Sequence, residues 1–327
     1  MEKPQVLITH WVHPEVVERL SGSCEVLANP TRETWPPERV RARAAGCDAM
    51  IAFMPDRVDA AFLDACPRLR VIAAALKGAD NFDLEACTRR GVWLAVVPER
   101  LAGPTAELAL ALLLAVARKL LAGDDQVRSG DFRGWRPQLY GSGLAGGTLG
   151  IIGMGSVGRA LAPRAAALGL RIVYADPRPG PEGYERVSLE ELLARSDFVM
   201  PLTQLTRDTC HLIGVQALAR MKPGAYLVNV GRGSLVDEAA VAASLASGRL
   251  AGYAADVFEM EDWALEARPR EIHPALLADR ARTFFTPHLG SAVDAARRAI
   301  ALEAAENVLD ALAGRRPRGA LNDPAPR

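Results

Sequence analysis

The sequence predicts an α/β fold of two doubly wound parallel-sheet domains, one inserted into the other. Three observations predict it. The chain has 327 residues, more than one hydrophobic core usually holds. Short apolar runs alternate with amphipathic helical stretches, the pattern of parallel sheets joined by crossover helices. A glycine-rich turn near the middle lies between two long helical patterns.

Taken in order, Val6–Thr9, Ala49–Ala52 and Val71–Ala75 read as strands before a boundary near Pro98. From Pro104 an Ala/Leu-rich helix runs to about Leu121, with Pro and Thr as start signals. Leu149–Ile152, Arg171–Tyr174, Phe198–Leu202, Tyr226–Val230 and Gly252–Ala255 follow as strands. A second long helix begins after Ser291 and runs to about Leu312, stopped by Gly314 and Pro317. The simplest layout gives residues 1–98 to the first part of an outer, substrate-binding domain. Residues 99–288 form the inserted dinucleotide domain, and 289–327 form a return helix and tail that complete the outer one. The two crossings would act as hinges.

Composition narrows the function. Half the residues are apolar and about a quarter charged, with Lys plus Arg equal to Asp plus Glu at 39 each. A zero balance gives no basic face for nucleic acid, and the cluster Arg315, Arg316 and Arg318 reads as a solvated tail. Cys24, Cys47, Cys66, Cys87 and Cys210 are scattered, so neither a disulfide framework nor a metal site is expected. Reduced thiols fit a cytoplasmic protein. No signal peptide is read at Met1–Pro4, and the longest apolar run, Leu108–Ala117, is too short for a membrane span.

The segment Gly150-Ile-Ile-Gly153-Met154-Gly155-Ser156-Val157-Gly158 follows an apolar strand and opens a helix over 159–168. Gly153 makes the tight turn, Gly155 lets backbone approach a pyrophosphate, and Gly158 lets helix pack on strand. The helix N-terminus then favours the anion. A lone glycine pattern is weak, but here Asp176 ends the next strand, about 20 residues on, where a ribose carboxylate belongs. That carboxylate would repel a 2′-phosphate, so NAD is expected over NADP. Arg178 would soften the preference, or is a solvated loop arginine.

Three polar residues stand just past strand ends, where a doubly wound sheet forms its ligand crevice. Arg232 follows YLVNVG, Glu261 follows YAADVFEM and His288 follows TFFTP. An arginine can hold a small oxyanion in two hydrogen bonds. A histidine can move a proton near neutral pH, and a carboxylate can fix its tautomer and raise its basicity. Singly these are a surface ion pair, a helix start and a satisfied histidine. Together, beside a dinucleotide site, they read as catalytic.

At GMGSVG, NVGRGSLVDEAAV (229–241), AADVFEMED (254–262) and TPHLGS (286–291) the chain resembles the D-2-hydroxyacid dehydrogenase family over almost its whole length. The resemblance implies a Rossmann domain inserted in a discontinuous flavodoxin-like domain, and a homodimer formed through the nucleotide domain. It places Arg232, Glu261 and His288 on the catalytic positions. It implies NAD contacts from Gly153, Met154, Gly155, Ser156, Val157, Gly158, Asp176, Thr105, Val230, Gly231, Arg232, Asp256, His288 and Gly290.

The segments AFMPDRVDA (52–60), ALKGADNFD (75–83), GVWLAVVPE (91–99), PTAELA (104–109), RSGDFRGWRPQLYG (128–141) and GYAADVFEMEDW (252–263) resemble the phosphite (phosphonate) dehydrogenase branch of that family. This resemblance adds Lys77 to the catalytic set. Met54, Lys77, Gly78, Trp135, Tyr140, Arg232, His288 and Ser291 then become substrate contacts. It implies NAD-dependent oxidation of phosphite to phosphate, and so a role in phosphorus metabolism. Two departures stand out: Gln204 replaces an expected proline before Thr209, and Asp294 replaces a basic residue, with Arg297 retained one turn later. The alternatives are a 2-hydroxyacid enzyme reducing a 2-oxo acid such as glyoxylate or hydroxypyruvate, and a nucleotide-sensing binding protein.

Overall fold

The structure is a computed structural model and describes residues 2–325. It divides into two compact units. One comprises the chain up to Leu101 and from Ala292 on; the other is Ala102–Ser291.

The first unit opens with β1 (Gln5–Ile8), α1 (Pro14–Ser21), β2 (Glu25–Ala28), α2 (Pro37–Ala44), β3 (Ala49–Ala52), α3 (Ala60–Ala65), β4 (Val71–Ala74), α4 (Leu84–Arg89) and β5 (Trp93–Ala95). The second contains α5 (Ala102–Ala117), α6 (Leu120–Arg128), β6 (Thr148–Ile152), α7 (Ser156–Ala167), β7 (Arg171–Ala175), β8 (Glu185–Arg186), α8 (Leu189–Arg195), β9 (Phe198–Pro201), α9 (Val215–Arg220), β10 (Ala225–Asn229), α10 (Glu238–Ala246), β11 (Leu250–Ala255), α11 (Pro274–Ala278) and β12 (Thr283–Phe285). The chain then returns to the first unit as α12 (Asp294–Leu312).

Both sheets are parallel, with orders β2-β1-β3-β4-β5 and β12-β11-β10-β9-β6-β7-β8. The predicted class holds: α/β with two doubly wound parallel sheets. In each sheet the order reverses beside the first strand, which is where ligands bind in such folds.

The strands show why. β3 and β4 are buried at every residue, as expected for strands covered on both faces. Alternate residues serve opposite cores: Val6, Ile8, Ala49, Ile51, Val71 and Ala73 face α1 and α12, while Leu7, Met50, Ala52, Ile72 and Ala74 meet the other face. α12 answers with Ile300, Ala301, Ala304, Ala305, Val308 and Ala311, a helical stripe. Past α12 the tail lies antiparallel to β5, with Val96 N donating to Gly319 O and Leu321 N to Leu94 O. In the second unit Leu149, Ile151, Tyr226 and Val228 face α5 and α7, and Ile152, Val173 and Leu227 face the opposite layer. Asp59, Asp83, Ser188 and Asp237 cap α3, α4, α8 and α10.

Two local expectations are corrected. The helix expected to reach Leu121 ends at Ala117 and restarts at Leu120, with Lys119 left-handed at φ 55°. Ser142 N donates to the Ala117 carbonyl at 2.9 Å, and Gly141 passes so close to that oxygen that a Cβ would collide with it. The sequence reading also passed over β2, β5 and β8. β2 is a partly exposed edge, β5 has three residues, and β8 has two exposed ones.

Asp56, in the turn after β3, is buried, and its Oδ2 accepts from Thr9 Oγ1 (2.5 Å) and Phe53 N (2.7 Å). Burial pushes its carboxyl from 3.8 up to about 6, against the pull of those two bonds. The folded state therefore holds this proton more tightly than the unfolded chain. The stability linked to it is complete below about pH 4 and is lost as pH rises through about 6, at most about 3 kcal/mol. Asp56→Asn keeps an acceptor for both donors. It is expected to gain stability relative to wild type as pH is raised from 4 to 8, measured by urea unfolding at both values; parallel pH profiles would refute this.

Candidate active site

The glycine turn links β6 to α7. Gly153 has φ 100°, and a Cβ there would lie 2.9 Å from the carbonyl carbon of Leu202 and from Thr203 N. Only glycine satisfies both constraints. At Gly158 a Cβ would stand 2.5 Å from Gly153 O, so this glycine sets how closely α7 packs on the turn. Gly150 answers to α8 instead: a Cβ there would strike Leu192 and Ser196. Gly155, the N-cap of α7, differs from all three. Its Cβ position is open to 4 Å, and no side chain caps the helix. Open backbone at a helix N-terminus, with Ser156 and Val157 as its first residues, fits a pyrophosphate.

Asp176 lies just past β7. Its Oδ2 accepts from Met154 N and its Oδ1 from Arg178 N, both at 2.8 Å. Arg186 braces the same turn through the carbonyls of Asp176 and Pro177. The carboxylate thus ties the glycine loop to the end of β7 as a pure acceptor, which suits ribose hydroxyls. The Met154 side chain is in the core, so only its backbone takes part in the turn. Leu202 N donates to Ile152 O at 2.7 Å, laying the Pro201–Leu202 segment over Gly153. Gln204 O accepts from Thr209 Oγ1 at 2.7 Å inside a closed Thr206–Thr209 turn.

Arg232 begins the turn after β10, following Val230 and Gly231. Buried Asn229 braces it, donating through Nδ2 to Arg232 O (2.8 Å) and accepting at Oδ1 from Gly231 N (3.1 Å). A 3-10 turn, Gly233–Leu235, follows. A Cβ on Gly233 would collide with the carbonyl of Phe258 and with Glu259 N. The turn after β10 therefore lies against the turn after β11, and Asp262 Oδ2 joins them by accepting from Ser234 N at 2.6 Å.

The second turn carries Glu261. Its Oε1 accepts from Phe258 N at 2.9 Å, and its Oε2 meets His288 Nδ1 at 2.7 Å. Both ends of the carboxylate are fixed. His288 itself has φ 57°, a left-handed conformation that costs a non-glycine residue about 1–2 kcal/mol. Asp256 holds it there. The Asp256 carbonyl accepts from His288 N (2.8 Å), Oδ1 from Leu289 N (2.6 Å), and Oδ2 from Gly290 N (2.8 Å). Thr286 Oγ1 adds a fourth bond at 2.6 Å. Burial pushes the Asp256 carboxyl up, and these donors pull it down. Gly290 packs between Asp256 and Thr105, a Cβ there standing 3.3 Å from each. With Nδ1 engaged by Glu261, Nε2 is the ring nitrogen left to exchange a proton.

The structure thus brings Glu261, His288, Asp256, Thr105 and Gly290 together and sets Arg232 on the adjoining turn. Ser291 closes the same unit. Trp135 and Tyr140 stand apart, 83% and 72% exposed on a segment without regular structure. Met54, Lys77 and Gly78 belong to the first unit. Met54 follows β3, its carbonyl held by Asn81 Nδ2 at 2.8 Å, and half-buried Lys77 and Gly78 follow β4. Arg297 lies in that unit too, its guanidinium 5.6 Å from the Phe53 ring. Asp294 Oδ1 meets His13 Nε2 at 2.9 Å, which holds the carboxyl below its ordinary range. Sequence reasoning missed Asn229, Glu238, Glu259 and Asp262. All four lie inside the family-matching segments 229–241 and 254–262, which were their one signal.

Residues 110–290 match the family described as D-isomer specific 2-hydroxyacid dehydrogenase, NAD binding domain. The chain is 37% identical to a glyoxylate reductase of Thermococcus gammatolerans over 317 residues, covering 94% of this chain and 92% of that one. It superposes on the TT0316 protein of Thermus thermophilus with a TM-score of 0.89 and 39% identity, over 97% and 100% of the two chains. It also superposes on an NADPH-dependent glyoxylate/hydroxypyruvate reductase from Sinorhizobium meliloti, solved with NADP and malonate, with a TM-score of 0.85 and 27% identity, over 98% and 97%. These relatives correct one expectation. Oxidation of phosphite, with phosphite as substrate partner and a role in phosphorus metabolism, gives way to the 2-oxoacid alternative, because the relatives are named for glyoxylate and hydroxypyruvate. The chain carries an NAD-binding domain and belongs to the D-isomer specific 2-hydroxyacid dehydrogenase family.

Proposed function

We propose that the protein reduces a small 2-oxo acid, glyoxylate or hydroxypyruvate, to the 2-hydroxy acid with NADH, and catalyses the reverse oxidation. The observation that carries this reading is the Glu261–His288 pair at 2.7 Å on an NAD-binding unit, which commits Nδ1 and leaves Nε2 for substrate. Bound NADH supplies the hydride, and Gly153, Gly155, Gly158 and Asp176 would hold it. Arg232 would bind the substrate carboxylate in a planar fork. His288 Nε2 gives its proton to the carbonyl oxygen in reduction and takes it back in oxidation. Carbonyl plus one hydride and one proton gives the alcohol, so the step balances. Asp256, by holding His288 in its strained turn, positions the ring before substrate arrives.

Two further assignments belong to this reading. Phe132, Trp135, Leu139 and Tyr140 expose a run of apolar side chains on one arm of the NAD-binding unit, which supports a homodimer built through that unit. Five free cysteines suit the reducing cytoplasm. No helix among the described residues is long and apolar enough to cross a membrane.

The substrate assignment is checked by steady-state kinetics of the purified enzyme with NADH against glyoxylate and hydroxypyruvate, and with NAD against phosphite. Turnover of at least one 2-oxo acid is expected; turnover of phosphite alone, or tight NADH binding with no turnover at all, would overturn the reading. His288→Ala is expected to lower kcat on the order of 10²–10⁴-fold. NADH affinity, followed by fluorescence, should stay near wild type, and activity surviving within a small factor would make His288 structural. Asp176 should favour NADH over NADPH through repulsion of the 2′-phosphate. Asp176→Ala is expected to narrow the ratio of kcat/KM values for the two cofactors, and a wild-type preference for NADPH would contradict the role given to the carboxylate.

A further inference from the structure

Behind the Phe258–Asp262 turn lie two buried carboxylates that the chemistry above does not use. Glu238 is the first residue of α10 and Glu259 the second of the turn, and both are buried. They are joined reciprocally. Glu238 N donates to Glu259 Oε1 at 2.9 Å, and Glu259 N donates to Glu238 Oε1 at 3.0 Å. The two remaining oxygens are also engaged: Glu238 Oε2 accepts from His273 N at 2.9 Å, and Glu259 Oε2 accepts from His211 Nε2 at 2.8 Å. His211 sits at φ 53°, and its own N–H donates to Ser234 O at 2.7 Å, inside the turn that begins with Arg232. One lattice therefore grips both turns of the site.

We propose that Glu238, Glu259 and His211 are positioning residues whose reciprocal clamp sets the spacing between Arg232 and the Glu261–His288 pair. The proposal rests on the catalytic roles given to those three residues. The clamp acts through backbone: it fixes Glu259 N, one residue from the Phe258 N that orients Glu261, and it fixes the Phe258–Glu259 peptide against which Gly233 packs. A displacement of about 1 Å at such a site costs about 10²-fold in rate.

The hydrogen-bond inventory makes the two glutamates inequivalent to substitution. Both Glu238 oxygens face backbone N–H groups, and an amide offers one acceptor and one donor. Glu238→Gln therefore forces its NH2 against an N–H. Glu259 faces one N–H and one imidazole nitrogen, and a neutral imidazole can turn acceptor towards an amide. Glu259→Gln should thus keep the clamp. The experiment measures kcat, KM, NADH affinity and the NMR titration of the His288 ring in the full-length enzyme. Glu259→Gln is expected to stay within about threefold of wild type in kcat. Glu238→Gln is expected to lose about 10–100-fold in kcat and to displace the His288 titration, with NADH affinity within about threefold. Equal kinetics for the two variants, or an unmoved His288 titration in Glu238→Gln, would overturn the proposal. If Glu238→Gln does not fold, the half-exposed His211 carries the test. His211→Ala should lower kcat by about tenfold and His211→Gln should restore it, and wild-type kinetics in His211→Ala would equally overturn it. Should wild type reduce neither 2-oxo acid, the functional reading fails, and the His288 titration still decides the positioning.

Discussion

The site depends on one close approach of backbone to backbone. Gly233 passes the Phe258–Glu259 peptide at a distance that leaves no room for a Cβ. β10 and β11 are neighbouring parallel strands, so their C-terminal turns emerge side by side. A side chain at Gly233 would separate them and carry Arg232 away from Glu261. Asn229 below and Asp262 beside the contact keep it from opening in the other direction. The distance between Arg232 and the Glu261–His288 pair is thus set by main chain, the least adjustable part of the structure.

A second regularity follows. Asp176, Glu238, Asp256, Glu259, Glu261 and Asp262 all accept backbone N–H groups from loops or helix starts at the carboxyl ends of strands. Loops leave such groups unpaired, and an unpaired buried N–H costs about as much as a lost hydrogen bond. Most of these carboxylates satisfy two or more donors. They let the loops hold conformations that regular structure would refuse, including the left-handed His288. Their charge matters less to the fold than their capacity as acceptors.

The sequence carried the large-scale order well. Parallel strands buried on both faces are nearly continuous apolar runs, so β3, β4, β6 and β10 were legible, as was the glycine turn with Asp176 at its proper distance. Arg232, Glu261 and His288 stood out as polar residues in the turns that follow β10, β11 and β12. Edge elements were not: β8 has two exposed residues and no apolar signal. The break at Lys119 was also hidden, because its cause, Gly141 lying on the Ala117 carbonyl, is a contact between positions far apart in the chain. Glu238 and Glu259 escaped for the same reason, since reciprocity is a property of the folded pair. Substrate choice was misread from local segments such as Lys77 and its neighbours. Short matching segments carry less weight than relatives aligned over nearly the whole chain.

The return of the chain through α12 bears on how the protein is made. Synthesis proceeds from the N-terminus. The five-stranded sheet emerges first, yet one of its faces is covered only in part by α1 and otherwise by a helix that starts at Asp294. The part of that face that lies under α12, on β3 and β4, must wait uncovered while the whole of Ala102–Ser291 is translated. The NAD-binding unit, by contrast, is contiguous and can close its core as soon as β12 appears. On the ribosome the order of completion is therefore inverted: the second unit matures before the first. A nascent chain stalled short of α12 would present a sticky sheet to chaperones beside a finished nucleotide fold.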